Sequence, residues 1–169
     1  YTGEDTLSLH DALPISVHQT KDGGRKADIC SLLEAIKKKE ISDVELNESD
    51  FFGDTMLTNI CKHGTSGQPF LIELVGTILE CGVVDVNHEN HVGFRAIHYA
   101  CQNINPPLVK LLKYYGAKTD VATHDGLSPA SFCHDNISWC NNSLNRQTDK
   151  QKGVQIYNCN YCLALMNNE

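Results

Sequence analysis

Between residues 93 and 133, apolar side chains return every three to four positions, in short runs separated by polar turns. Ile97, Ala100 and Cys101 stand at i, i+3 and i+4, which puts them on one face of a short helix. Pro106-Pro107 halts that helix, because a proline inside a helix loses a hydrogen bond and clashes with the turn before it. Leu108, Val109, Leu111 and Leu112 form a second apolar run. It closes at Tyr115-Gly116, where glycine can take the left-handed conformation that ends helices. The polar segment Lys118–Asp125 leads into a new start at Gly126-Leu127-Ser128-Pro129, with a serine to cap and a proline at the first helical position. The order then repeats: Gly93 and Gly126 lie 33 residues apart, and the same offset carries Ala96 onto Pro129, Ile97 onto Ala130, Tyr99 onto Phe132 and Ala100 onto Cys133. A fixed period of this length is a signature of stacked helical repeats, whose layers bury their apolar faces only against neighbouring layers.

Weaker copies of the pattern lie upstream. Asp28 can cap a helix carrying Ile29, Leu32, Leu33 and Ile36, which should run to about Lys39. Gly53-Asp54-Thr55-Met56-Leu57 opens the next helix, with Thr55 as its cap, Leu57, Ile60 and Cys61 on its apolar face, and His63-Gly64 at its end. Leu71, Leu74, Val75, Ile78 and Leu79 predict a partner helix over 70–80. Gly53 and Gly93 are 40 residues apart, seven more than the period. About six of these fall in Thr65–Phe70 (TSGQPF) and one in Gly82–Asp85, both read as loops, which absorb insertions at modest cost. After Cys133 the pattern fades. A weak helix around Ser138–Leu144 is expected, followed by an Asn-rich tail that does not continue the array.

The segments G-F-R-A-I-H-Y-A-C from Gly93, L-V-K-L-L-K-Y-Y-G-A-K-T-D from Leu108 and D-G-L-S-P-A-S-F-C from Asp125 resemble the ankyrin repeat, over Asp85–Cys133. The resemblance implies an all-α ankyrin-repeat solenoid of helix-turn-helix layers with β-turn fingers. Asn47, Asp50 and Gly53 keep the spacing of the family's turn. The repeat domain is therefore placed at 27–140: a partial repeat at 27–49, repeats at 50–89 and 90–122, a partial repeat at 123–140, and an irregular tail at 141–169. Two departures stand out. Arg95 and Ala96 replace the family's Thr-Pro, so the usual hydroxyl partner of His98 is missing, and Ser131 replaces the motif's histidine. Residues 17–26, with Gly23-Gly24, read as a linker. Thr6–Ile15 reads TLSLHDALPI, which looks like the conceptual translation of a short-read sequencing adapter. Residues 1–16 are accordingly read as a non-native scar and the chain as a fragment.

Composition narrows the function. The net charge is −7, and about −4 without the first sixteen residues, which carry Glu4, Asp5 and Asp11. An acidic chain lacks the clustered cations that phosphate backbones require, so no nucleic-acid partner is expected. No apolar run approaches the roughly 20 residues of a membrane helix. Eight cysteines could suggest a disulfide framework. However, Cys61, Cys101 and Cys133 occupy small apolar repeat positions, where a free thiol behaves as a small hydrophobe. Without a visible signal peptide, the expected setting is intracellular, cytoplasmic or nuclear.

Candidate chemistry is sparse. Cys159-x2-Cys162 has half of a zinc-site spacing, with Cys133, His134 and Cys140 upstream, but the spacing matches no complete site. His88-x2-His91 is weaker still. Neither is assigned a metal, and no cofactor is expected. There is no phosphate-cradling glycine loop, nucleophile motif or H-E-x-x-H, so the chain is read as non-enzymatic and without a small-molecule substrate.

What the resemblance implies instead is binding of a partner protein through turn tips and the inner-helix face. Carried over position by position, the candidate contacts are Phe51, Phe52, His88, Asn90, His91, Thr123 and His124 at the tips, and Asn59, Tyr99, Gln102 and Phe132 on the inner helices. Tyr99 and Phe132 should lie side by side in adjacent layers. Alternatives are a substrate-recognition adaptor of a ubiquitin ligase, or the accessory repeats of a larger enzyme, channel or zinc-finger protein.

Overall fold

The computed structural model describes residues 33–64, 69–141 and 148–167, and these residues are mainly helical. The expected scar, the linker, the start of the first helix and most of the TSGQPF insertion lie outside them. Residues 33–37 are helical and bury Leu33 and Ile36. The labelled helices are α1 (Asp43–Asn47), α2 (Met56–His63), α3 (Pro69–Glu80), α4 (Ala96–Gln102), α5 (Pro106–Tyr114), α6 (Pro129–Asn141) and α7 (Asp149–Asn167). Among the described residues the extended pairing is one isolated bridge, Ser49 with Thr55.

The helices form two rows. α2, α4 and α6 pack side by side in one row, α3, α5 and α7 in the other, and α4–α5 and α6–α7 pair across the rows, as α2–α3 do more lightly. The seam between the rows is the core. It holds Leu57, Ile60, Val75, Ile78, Ile97, Leu108, Val109 and Leu112, the positions that the helical period put inward. Such a seam has no inside until a neighbouring layer covers it, which is why successive layers stabilise one another.

Three turns carry the chain between layers, and they share one construction. In the first, Asp50 Oδ1 accepts the amides of Phe52 and Asp54 at 2.9 Å, and Gly53 N–H donates to Asp50 O. In the second, Asn90 Oδ1 accepts from Val92 and Phe94, and Gly93 donates to Asn90 O. In the third, Thr123 Oγ1 accepts from Leu127, and Gly126 donates to Thr123 O. The three glycines have φ of 80°, 83° and 80°. The turns are also tied in a ladder: His91 N–H donates to Phe52 O at 3.0 Å and His124 N–H to Val92 O at 3.1 Å. Asparagine side chains stitch the opposite ends. Asn47 bonds the backbone of Val83 and Asp85, and Asn87 that of Gly116 and Lys118.

Three expectations are corrected. The segment 141–169 is not irregular: α7 occupies 19 of its residues and docks against α5 and α6. Its buried side chains, Cys159, Cys162 and Met166, share one helical face. Of the weak helix expected around 138–144, residues 138–141 are the end of α6, which runs unbroken from Pro129 to Asn141, and the remainder lies outside the described residues. Finally, the five-residue α1 was not anticipated. Ser42 and Glu45 form its reciprocal cap, with Ser42 N–H donating to Glu45 Oε2 at 2.8 Å and Glu45 N–H to Ser42 Oγ at 3.3 Å.

Candidate functional site

A groove of about 560 Å³ opens where the first two turn tips meet the row of α2 and α4, lined by Phe51, Phe52, Lys62, Asn90, His91, Val92, Phe94, Tyr99 and Gln102. The turns put the aromatic pair there. Gly53 closes so tightly beneath them that the two preceding side chains are thrust outward. Phe51 is 89% and Phe52 63% exposed, with their rings edge to face at 5.6 Å. Val92 holds the equivalent place on the second tip and is also exposed.

Beneath this apolar rim lies a buried polar knot centred on Asp54, which is fully buried. Its carboxylate accepts from Lys62 Nζ at 2.7 Å, Asn90 Nδ2 at 2.8 Å and Tyr99 OH at 3.4 Å. Asn90 Nδ2 also reaches Tyr99 OH at 3.0 Å. A buried carboxylate needs such partners, because desolvating a charge without them is costly. Burial, then the nearby Asp54 charge, pushes the Tyr99 phenol well up. For Asp50, burial alone would raise the carboxyl. Hydrogen bonds from the Asn59 side chain and the Asp54 and Phe52 amides, with the Lys62 charge, outweigh it and hold the group below its usual range. Lys62 Nζ sits 5.6 Å from the ring centres of both Phe52 and Tyr99, so the cation bridges the polar knot and the aromatic rim.

Of the expected contacts, the groove gathers Phe51, Phe52, Asn90, His91, Tyr99 and Gln102. Among these, Phe51, Phe52, His91 and Gln102 are exposed. Asn90, Tyr99 and Thr123 are buried, and each makes hydrogen bonds that hold turns or layers. Asn59 is half-buried and donates to Asp50 Oδ2 at 3.0 Å, and half-buried His88 places Nε2 2.9 Å from Gly53 O. His124 is exposed on the third tip, away from the groove, and Phe132 is half-buried. Tyr99 and Phe132 are not direct neighbours. Phe94 stands between them, its ring centre 5.1 Å from Tyr99 and 5.6 Å from Phe132. Phe94 and Asp54 were the residues that sequence reasoning missed. Both sit next to a turn glycine, and that adjacency was the available signal.

His98 finds its partner within its own turn. Its Nδ1 accepts the Arg95 amide at 3.0 Å, in place of the missing hydroxyl. Nε2 is buried without a hydrogen-bond partner of good geometry, facing the carbonyls of Val121 and Leu127. Burial, reinforced by the Arg95 charge and opposed by these backbone groups, holds the imidazole below its ordinary value.

No family model matches the chain. A stretch of 61 residues is 36% identical to the BTB/POZ domain and ankyrin repeat-containing protein NPR1 of Malus hupehensis, covering 36% of this chain and 10% of that protein. The chain thus spans about a tenth of the length of the curated relative it matches. Among the described residues no helix is long and apolar enough to cross a membrane.

Proposed function

We propose that the chain is an ankyrin-repeat segment acting as a non-enzymatic protein-recognition module, and that a partner protein seats in the groove between the first two turn tips. The observation that carries this reading is the pair Phe51 and Phe52, both exposed at the lip of a groove whose floor is braced by the Asp54 knot. Support for the repeat identity comes from the partial likeness to a protein named for its ankyrin repeats and from the recurring turn. The physical case for binding is preorganisation. The floor is rigid and the rim aromatic, so a partner gains large apolar contact while little ordering entropy is lost.

The test is affinity capture with the whole chain, followed by calorimetry with the partner so identified. Phe51→Ala combined with Phe52→Ala should weaken binding by on the order of 30-fold or more, as loss of an interface hot spot does. Circular dichroism should show the fold intact, since neither ring is in the core. Tyr114→Ala, which removes an exposed ring from α5, serves as the control. Equal loss in the control, or none in the double variant, would place the contact elsewhere.

A further inference from the structure

Away from the groove, α7 is apolar on two sides. One side carries Cys159, Cys162 and Met166, which are buried where α7 docks on α5 and α6. Lys113 of α5 adds a further tie by donating to the Leu165 carbonyl. The other side carries Val154, Tyr157, Tyr161 and Ala164, all of them exposed, Tyr157 by 69%. At 3.6 residues per turn the two sets point in nearly opposite directions. The exposed set is therefore not a spill-over of the docked face but a second apolar stripe. Its two rings are already aligned, 17° from parallel with centres 6.5 Å apart.

The stripe is built to match itself. Its members are spaced three, four and three residues apart, the spacing on which helices pair along a seam. That spacing reads the same in both directions, and so does the order of sizes: small, tyrosine, tyrosine, small. Turning a second copy of α7 end for end about residue 159 lays Val154 on Ala164 and Tyr157 on Tyr161. This is the condition that a two-fold interface sets, in which residue i meets residue j and j meets i. Asn158 and Asn160 flank the stripe symmetrically, and each meets its own counterpart across the axis. A side-chain amide carries both donor and acceptor, so it can pair with its like. Charge points the same way. The chain carries a net charge of −7, yet there is no charged residue from Gly153 to Asn167. Two copies repel over most of their surface and meet no such repulsion here, while a strongly charged partner finds nothing to pair with.

We propose that this stripe is the contact of an antiparallel homodimer, in which α7 of one copy lies along α7 of another. The surface is distinct from the groove, so both copies keep the groove open. From Val154 to Ala164 the seam is about 15 Å long. Four side chains from each copy cover less than the roughly 800 Å² per partner of a standard interface. The dimer is accordingly weak, with a Kd on the order of 10–100 μM. The tyrosine hydroxyls stay wet at the rim while the rings are covered.

The experiment is analytical ultracentrifugation of the full chain from about 5 to 500 μM, a range set to bracket that Kd, with dithiothreitol present to keep the thiols from cross-linking. The average mass should rise from that of one chain towards that of two and no further, since a two-fold contact closes on itself. Tyr157→Lys and Tyr161→Glu should each stay monomeric over the whole range, with unchanged circular dichroism. Mixing the two variants should restore the dimer, because an antiparallel pair sets Lys against Glu. Should either variant fail to fold, hydroxyl-radical footprinting of the unaltered chain gives the same answer: oxidation of Tyr157 and Tyr161 should fall as concentration rises, while that of Tyr114, exposed on α5, should not. A single-chain mass at every concentration would overturn the proposal. So would a dimer that Tyr157→Lys leaves intact, or protection that appears at Phe51 and Phe52 instead of the α7 tyrosines.

Discussion

The side-chain amide of Asn90 donates to the buried carboxylate of Asp54 at 2.8 Å, joining the second turn to the first layer across 36 residues of chain. The same asparagine accepts two amides of its own turn, as Asp50 does one layer earlier. Asn90→Asp therefore keeps the turn's acceptor but sets a second carboxylate against Asp54. It should destabilise the chain by about 2–4 kcal/mol at neutral pH, the scale of a broken buried charge contact. Urea unfolding should show the deficit shrinking as the pH falls, because one proton shared by the two carboxyls relieves the repulsion. A deficit that did not depend on pH would mean the damage lies in the turn and not in the Asp54 contact.

The turn glycines separate two costs that usually come together. Gly93 and Gly126 have nearly the same φ, 83° and 80°. A Cβ on Gly93 would lie 2.7 Å from the His124 backbone nitrogen, whereas one on Gly126 meets nothing within 4 Å. Gly126→Ala should thus cost only the left-handed strain, about 1–2 kcal/mol. Gly93→Ala should cost clearly more, since a backbone rung of the turn ladder must also move. Comparing the two urea midpoints, with equal m-values, checks this ordering.

Much of the helical stacking was legible because its core is aliphatic. Leu71, Leu74, Val75, Ile78 and Leu79 repeat at helical spacing and are all buried. α7 escaped notice because its buried face is built from Cys159, Cys162 and Met166 amid asparagines. A thiol reads as a ligand as readily as it reads as a hydrophobe, so the period was hidden by residue type. The helix α1 is too short for any period to show, although Ser42 and Glu45 spell out its cap. At the groove, Phe51 and Phe52 were readable as tip residues. Tyr99 was not: its register alone suggested exposure, but its hydroxyl turns inward to Asn90 and Asp54, the latter 45 residues earlier.

Acid should weaken the fold in two stages, and His98 sets the first. Its pKa is lowered in the folded chain, mainly by burial, so the folded state favours the neutral ring while the unfolded chain titrates near 6.5. Below that value the unfolded state binds the proton that the folded state refuses. Stability is therefore complete above about pH 6.5 and declines as the pH falls below it. His98→Gln should flatten this limb, measured as the urea midpoint between pH 7.5 and pH 5, whatever its effect at neutral pH. Asp50, also lowered, adds a second loss only below its ordinary value of 3.8.

Asn103 offers the sharpest test of how one layer closes the next. It ends α4, and its Nδ2 reaches back to the carbonyls of Cys61, Lys62 and Gly64 at 2.9, 3.1 and 3.1 Å. These are carbonyls at the C-terminal end of α2, a region that lacks intrahelical donors and carries the negative end of the helix dipole. Asn103→Ala should cost about 1–2 kcal/mol, the worth of a half-buried donor whose carbonyl partners are left without it. Asn103→Asp should cost more, because it replaces the donor with a charge that the dipole repels. Hydrogen exchange should localise the effect: the Gly64 amide, bonded to Ile60 O at 2.9 Å, should lose protection before the amides of α4 itself. If α4 frayed first, Asn103 would be acting as an ordinary end of its own helix and not as the cap of its neighbour.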